Sequence, residues 1–155
     1  MKRRSVVLAV AVLFASVAVC FAASDPHMGT WKLNEAKSKI GAGAPKNHTV
    51  VYSAVGDKVK VTVDGTGADG KPTHSEWTGN YDGKDYPVTG NAADDSRSYT
   101  KVNDRTLRFT GKKGGKTVMT GEVVVSADGK TRTVTTSGTD AAGKKYTSTV
   151  VYDKK

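Results

Sequence analysis

The side chains that usually perform catalysis or bind metals are few in this 155-residue chain. Its three histidines, His27, His48 and His74, are not spaced as metal ligands. Its one cysteine, Cys20, lies in an N-terminal leader, so thiol chemistry in the rest of the chain is excluded. The chain also lacks the Gly-x-Ser-x-Gly motif of serine hydrolases. We therefore predict a protein that is not an enzyme and that needs no metal or cofactor.

Binding chemistry is better represented, by large apolar side chains and one arginine. An apolar pocket with a few polar groups is the usual construction of a small-molecule site. The candidate lining residues are Trp77, Phe109, Met119, Arg132, Tyr146 and Tyr152. This set favours a small apolar or amphipathic ligand.

The basic charge of the chain does not indicate a nucleic-acid partner. The 24 Lys and Arg exceed the 15 Asp and Glu by nine. These cations are spread along the sequence, with one local cluster at Lys112, Lys113 and Lys116. Nucleic-acid binding favours a basic stripe with interleaved aromatic residues, which is missing here. We predict a soluble, solvated surface and a monomer.

The elements that must position the candidate residues are β-strands. After residue 22 the chain holds 19 Thr, 17 Gly and 15 Val, but only two Leu and one Ile. Residues branched at Cβ fit a pleated sheet better than a helix. Turn signals rich in Gly, Asn and Asp recur at short, even spacing, as hairpins require. The composition therefore predicts an all-β protein.

About ten strands can be placed between these turns. The predicted strands are 28–34, 47–55, 58–66, 71–79, 84–90, 96–102, 105–112, 116–126, 130–139 and 144–152. Their regular spacing predicts an antiparallel up-and-down sheet of about 8–10 strands. With no helices to cover it, such a sheet should close into a barrel. Residues 35–46 allow one helical turn at most, because the Gly-rich stretch before Pro45 cannot continue a helix.

Alternation along each strand predicts which side chains face the barrel interior. If Val59, Val61 and Val63 point inward, Trp77 does so as well. The same reasoning assigns inward positions to Leu107, Phe109, Met119, Val123, Val125, Tyr146, Val150 and Tyr152. The faces of Arg97 and Tyr99 stay unassigned.

An internal repeat adds Arg132 to the inward set. Residues 50–77 align without gaps on residues 123–150, with 13 identities. The alignment places Arg132 where the first copy has Val59. A buried, unpaired guanidinium is costly, so Arg132 should meet a carboxylate, a tyrosine or an anionic ligand. It could anchor a ligand headgroup with Tyr146 nearby, or it could reach solvent from a strand end.

The first predicted strand carries a family signature. Gly29-Thr30-Trp31 resembles the Gly-x-Trp motif that opens lipocalins and intracellular fatty-acid-binding proteins, together the calycins. The whole chain after residue 22 is similar to small exported bacterial lipocalin-like proteins. In calycins this tryptophan packs across one end of the barrel, so the resemblance implies a structural role for Gly29 and Trp31. It also implies a further alternative to the headgroup anchor, in which Arg132 is the arginine that caps Trp31.

Two departures separate the chain from fatty-acid-binding proteins. In those proteins an arginine that holds the ligand carboxylate lies two residues before the last tyrosine, where this chain has Val150. They also insert two helices as a lid between the first two strands, where this chain has about twelve residues. The resemblance therefore implies the fold but not the binding of fatty acids.

Residues 1–22 have the features of a secretory signal peptide. Lys2, Arg3 and Arg4 form a positive start, and an apolar run over 6–19 is too short to span a bilayer comfortably. We predict cleavage before Ala23 and a single lipocalin-like barrel domain over 23–155. The predicted location is the periplasm or the exterior, without membrane insertion after cleavage. The alternative is a lipoprotein acylated on Cys20.

Two functions remain open at this level. The first is an exported barrel that binds or carries a small apolar or amphipathic molecule. The second is a barrel with a filled core that acts through its surface, as an envelope or protein-interaction module. A cavity inside the barrel favours the first, and side chains packed to the barrel axis favour the second.

Overall fold

The computed structural model describes residues 25–91 and 93–155. The predicted signal peptide at 1–22, its cleavage before Ala23 and the acylation of Cys20 lie outside the described residues. The strands are β1 Gly29–Leu33, β2 Lys46–Val55, β3 Lys58–Thr66, β4 Pro72–Gly79, β5 Tyr86–Thr89, β6 Ser96–Asn103, β7 Thr106–Lys113, β8 Lys116–Val125, β9 Thr131–Thr139 and β10 Lys145–Lys154. The ten predicted strands are confirmed, with ends that agree within two residues.

The strands form one closed, antiparallel up-and-down barrel. Each strand pairs with its neighbours along the chain, and β1 also pairs with β10. Closure therefore leaves no free edge in the sheet, as predicted from the absence of covering helices. The pairing is thinnest around β5, which shares two residue pairs with β4 and two with β6.

The segment between β1 and β2 contains the single helical turn that the sequence predicts. A 3-10 helix covers Glu35–Lys37 and is capped by Asn34, whose side-chain oxygen accepts a hydrogen bond from the backbone N–H of Lys37. The chain then runs through a loop to β2. No helix among residues 25–91 and 93–155 has the length and apolar character needed to cross a membrane.

The internal repeat corresponds to two matching hairpins. Val61 of β3 pairs with Trp77 of β4, and Val134 of β9, 73 positions later, pairs with Val150 of β10. The preceding hairpins differ by two residues in register, because a two-residue turn joins β2 to β3 and a longer turn joins β8 to β9. The repeat is therefore strict only in the β3–β4 and β9–β10 hairpins.

The two ends of the barrel differ in how they are covered. We call the end at which β1 begins the closed end, because Asp25–Met28 lie there and the buried side chain of His27 packs against Tyr52 and Tyr81. The other end, which we call the open end, is bordered by the loops 38–45 and 67–71 and by residues 90–91 and 93–95.

Candidate functional site

A cavity of about 130 Å³ lies inside the barrel. A cavity of roughly 150 Å³ is enough to hold a benzene molecule, so this space fits one small ring or a short chain. Its walls come from inward-facing residues of most strands, and it extends to Ala44, Pro45, Gly90 and Asn91 in the loops of the open end. The charged side chains among its lining residues are Arg97 and Arg132.

Aromatic side chains fill much of the remaining interior. Tyr99 lies at the centre of this cluster, with its ring centroid 4.8 Å from that of Trp77, 5.8 Å from Phe109 and 6.1 Å from Tyr81. The contacts of Tyr99 with Trp77 and Tyr81 are edge to face, an arrangement that is favourable for aromatic pairs at such distances. The barrel is thus partly filled and partly hollow, which answers a question that the sequence left open.

Glycines on the inner face make room for these large side chains. A Cβ at Gly121 would collide with the ring of Phe109, and a Cβ at Gly138 would lie 2.7 Å from the hydroxyl of Tyr146. Both glycines lie directly beside those aromatic residues in the sheet register. The rings can therefore lie against the barrel wall, which keeps the space along the axis open.

Arg132 lies at the base of the cavity, near the closed end. It is 3% exposed, and its guanidinium carbon is 4.9 Å from the ring centroids of both Tyr52 and Tyr152. Among the residues that the structure describes, none accepts a hydrogen bond from its Nε or Nη1. The structure thus places Arg132 inside the barrel, with a buried positive charge that aromatic faces stabilise only in part.

Trp31 is fully buried at the closed end, which agrees with the barrel-end position that the Gly-x-Trp resemblance implies. The guanidinium carbon of Arg132 lies 5.3 Å from its ring, and Nζ of Lys154 lies 5.0 Å from it. Lys154 also donates a 3.2 Å hydrogen bond to the backbone oxygen of Pro26. Arg132 therefore contacts Trp31, which was one of the alternatives that the sequence left open, while the contact of Lys154 was missed because a single lysine near the end of a strand carries no signal of its own.

Arg97 and Tyr99, whose faces the sequence did not assign, both point inward. Arg97 near the open end forms an ion pair with Asp94, a residue with no exposed surface. Its Nε and Nη2 donate hydrogen bonds of 2.9 and 3.0 Å to the two carboxylate oxygens. Arg97 is therefore neutralised by a neighbour from its own chain, unlike Arg132.

Five of the six candidate lining residues line the cavity, namely Phe109, Met119, Arg132, Tyr146 and Tyr152. The sixth, Trp77, is buried but packs into the aromatic cluster beside the cavity, and its Nε1 donates a 2.9 Å hydrogen bond to the backbone oxygen of Arg97. Burial raises the pKa of the hydroxyls of Tyr146 and Tyr152 above the ordinary value. Both hydroxyls therefore stay protonated at neutral pH and can donate hydrogen bonds.

His27 covers the closed end of the barrel. Burial, together with the nearby cations of Arg132, Lys101 and Lys154, outweighs the opposing charge of Asp25 and lowers the pKa of His27 to about 4. His27 is therefore neutral at pH 7. In the part of the chain that the structure describes, no group of three or more His, Cys, Asp and Glu side chains could hold a metal ion.

Comparison with known proteins identifies the fold only. No family model matches the chain, and no curated protein matches it. The solved structure of EF1p2_mFAP2b bound to DFHBI is similar, with 12% identity over 84% of this chain and 94% of that chain and a TM-score of 0.50. A redesigned β barrel, mFAP1, bound to DFHBI, gives 17% identity over 81% and 94%, with a TM-score of 0.44.

Proposed function

We propose that this protein binds a small amphipathic molecule whose anionic headgroup pairs with Arg132. The observation that carries the proposal is the buried guanidinium at the base of the cavity, with Nε and Nη1 unpartnered among the described residues. A buried charge of this kind is costly until a counter-charge accepts its hydrogen bonds. A carboxylate or a similar anion in the cavity would supply both the counter-charge and the hydrogen-bond acceptors.

The charges inside the barrel favour an anion over a neutral ligand. Arg97 and Arg132 contribute two positive charges, and Asp94 contributes one negative charge, so the interior carries an excess of one positive charge. Charge-assisted hydrogen bonds in a site of low dielectric are about twice as strong as neutral ones. The anionic group of the ligand is thus the part that the site selects.

The size of the cavity limits what lies inside. About 130 Å³ accommodates a headgroup with a short apolar segment against Phe109, Met119 and Val123. The tail of a longer ligand would extend out of the cavity through the open end, past Pro45 and Asn91. A barrel of the same fold is bound to DFHBI, which supports the use of this architecture for a small ligand.

The proposed place of action is outside the cytoplasm. The basic and apolar leader at 1–22 supports export of the barrel, as does the resemblance to small exported lipocalin-like proteins. In that compartment the protein would carry or store its ligand. Catalysis forms no part of this proposal.

Titration calorimetry with hexanoate, hexanol and hexylamine tests the proposal. These ligands share a chain length and differ in charge. We expect hexanoate to bind and the other two to bind far more weakly. In Arg132→Met, hexanoate affinity should fall by about 30-fold or more, since losing one partner of a buried charge pair costs at least about 2 kcal/mol.

Arg108→Met is the matched control. Arg108 lies on the barrel exterior, where it pairs with Glu122, so its loss should leave affinity for hexanoate unchanged. Near-UV circular dichroism establishes that each variant keeps its tertiary packing. Equal binding of hexanol and hexanoate, or unchanged binding by folded Arg132→Met, would refute the proposal.

A further inference from the structure

The second arginine of the cavity carries an inference about ligand charge. We propose that Asp94 acts as a built-in carboxylate that occupies Arg97 and so restricts the cavity to ligands with a single anionic group. This inference rests on the proposed function of Arg132. It concerns which ligands the protein excludes, a property that Arg132 alone does not determine.

Asp94 makes the contacts with Arg97 that the carboxylate of a bound ligand would make. Asp94 receives hydrogen bonds from Nε and Nη2 of Arg97 on its two separate oxygens. The remaining nitrogen, Nη1, lies 3.5 Å from the hydroxyl of Tyr99. Asp94 thus takes up Nε and Nη2 and balances the charge of the guanidinium, so Arg97 offers no net positive charge to a second anion, although its side chain lines the cavity.

Asp94 is held in this position by its surroundings. It is fully buried, and its Oδ1 also accepts a hydrogen bond from the side chain of Asn91. The next residue, Asp95, fastens the loop to the barrel, because its backbone bonds to Val88 and to Lys112. A ligand would have to break this network to displace Asp94 from Arg97.

Charge balance explains the expected selectivity. One anionic group on Arg132 offsets the single excess positive charge of the interior. A second anionic group on the same small ligand would approach Arg97 and find Asp94 already there. Like charges placed together in a buried site cost several kcal/mol, so a dianion should bind much more weakly than a monoanion.

Titration calorimetry with hexanoate, hexanedioate and the monomethyl ester of hexanedioate tests the inference. Wild-type protein should bind hexanoate at least about tenfold more tightly than hexanedioate, a conservative figure for such repulsion. The monoester, which keeps the length of the dianion with one charge, should bind much like hexanoate. This comparison needs no variant and therefore does not depend on whether a substitution folds.

Asp94→Asn supplies the second arm, because it removes the charge at nearly constant volume. Its preference for hexanoate over hexanedioate should shrink by about tenfold or more. The control Asp85→Asn changes the net charge of the protein equally but removes an exterior partner of Lys112, and it should keep the wild-type preference.

The outcomes separate the two proposals. If wild-type protein binds none of the three ligands, the proposed function fails and this inference fails with it. If wild-type protein binds hexanoate but binds hexanedioate as tightly, only the role of Asp94 is refuted. The same holds if folded Asp94→Asn keeps the wild-type preference.

Discussion

Individual residues decide the chemistry of this barrel, and the two interior arginines do so in different ways. Arg97 meets Asp94 and forms a complete ion pair. Arg132 lies over the faces of Trp31, Tyr52 and Tyr152, and its Nε and Nη1 have no hydrogen-bond partner among the described residues. Aromatic faces stabilise a cation but do not accept the in-plane hydrogen bonds of a guanidinium. The difference in partners is the reason why the proposed function assigns the ligand's anionic group to Arg132, while Arg97 is already paired within the wall.

His27 gives a prediction at this scale. Its pKa of about 4 in the folded protein is below the ordinary 6.5, so the unfolded chain binds a proton more readily. The neutral, buried ring stabilises the fold fully above pH 6.5, and that stability is lost as the pH falls toward 4. The loss amounts to up to about 3 kcal/mol at roughly 1.4 kcal/mol per pH unit.

Urea unfolding between pH 4 and 7 measures this effect. His27→Leu should show a shallower decrease in the free energy of unfolding with falling pH than the wild-type protein. The control His48→Gln alters a half-buried histidine on β2, away from the closed end, and should keep the wild-type slope. Identical slopes for His27→Leu and wild type would show that His27 does not titrate in this way.

Elements of the barrel set the shape of the cavity through their register. Gly121 on β8 lies opposite Phe109 on β7, and Gly138 on β9 lies opposite Tyr146 on β10. Each aromatic ring thus lies over a neighbouring strand that has no side chain at that point. A one-residue shift would turn these residues to the outside, so the cavity depends on the turns that fix each hairpin.

Gly121→Ala tests this arrangement. The added methyl group would collide with the ring of Phe109 and with the backbone oxygen of Thr135, neither of which can move freely. We expect a loss of about 1–3 kcal/mol in the free energy of unfolding, as overpacked cores show. Urea denaturation followed by tryptophan fluorescence measures it.

The neighbouring Thr120 provides the control for this prediction, because it lies exposed on the outer face of β8. Thr120→Ala should change stability by no more than about 0.5 kcal/mol. Equal stability of Gly121→Ala and wild-type protein would mean that Phe109 does not need the glycine beside it.

The whole molecule depends on the closure between β1 and β10. Three residue pairs join these strands, from Trp31 with Lys154 to Leu33 with Tyr152. The same contact brings Tyr152 to Arg132 and Lys154 to Trp31. Closure of the sheet therefore also completes the wall around Arg132, where the proposed binding site lies.

Deletion of residues 151–155 tests this coupling. It removes every β1–β10 pair together with Tyr152, so two strand edges and part of the core become exposed. We expect a loss of at least about 3 kcal/mol in the free energy of unfolding, comparable to removal of a large core side chain. Urea denaturation and near-UV circular dichroism measure this loss.

Lys155→Ser is the control for the deletion, because the hydrogen bond of Lys155 to Thr30 comes from its backbone N–H and is kept when the side chain changes. This variant should unfold as the wild-type protein does. A truncated chain with full stability would show that closure contributes little to the fold.

Much of this architecture was predictable from the sequence, because strand alternation and turn residues are local properties. Ten strands, their order and the inward direction of Arg132 follow from the spacing of valines, glycines and the repeat. The contact between Arg132 and Trp31, which the Gly-x-Trp resemblance offered as one alternative, is also observed. A short window of sequence or a known motif is enough to predict these features.

Tertiary structure alone decided the volume of the cavity and the partners of its charges. Four features were not predictable from the sequence. They are the inward direction of Arg97, its pairing with Asp94, the position of Trp77 beside the cavity and the contact of Lys154 with Trp31. The physical reason is that these contacts depend on barrel closure, strand register and loop path together. Local periodicity predicts which way a side chain points, but the distances between side chains across the barrel are fixed only once the sheet has closed.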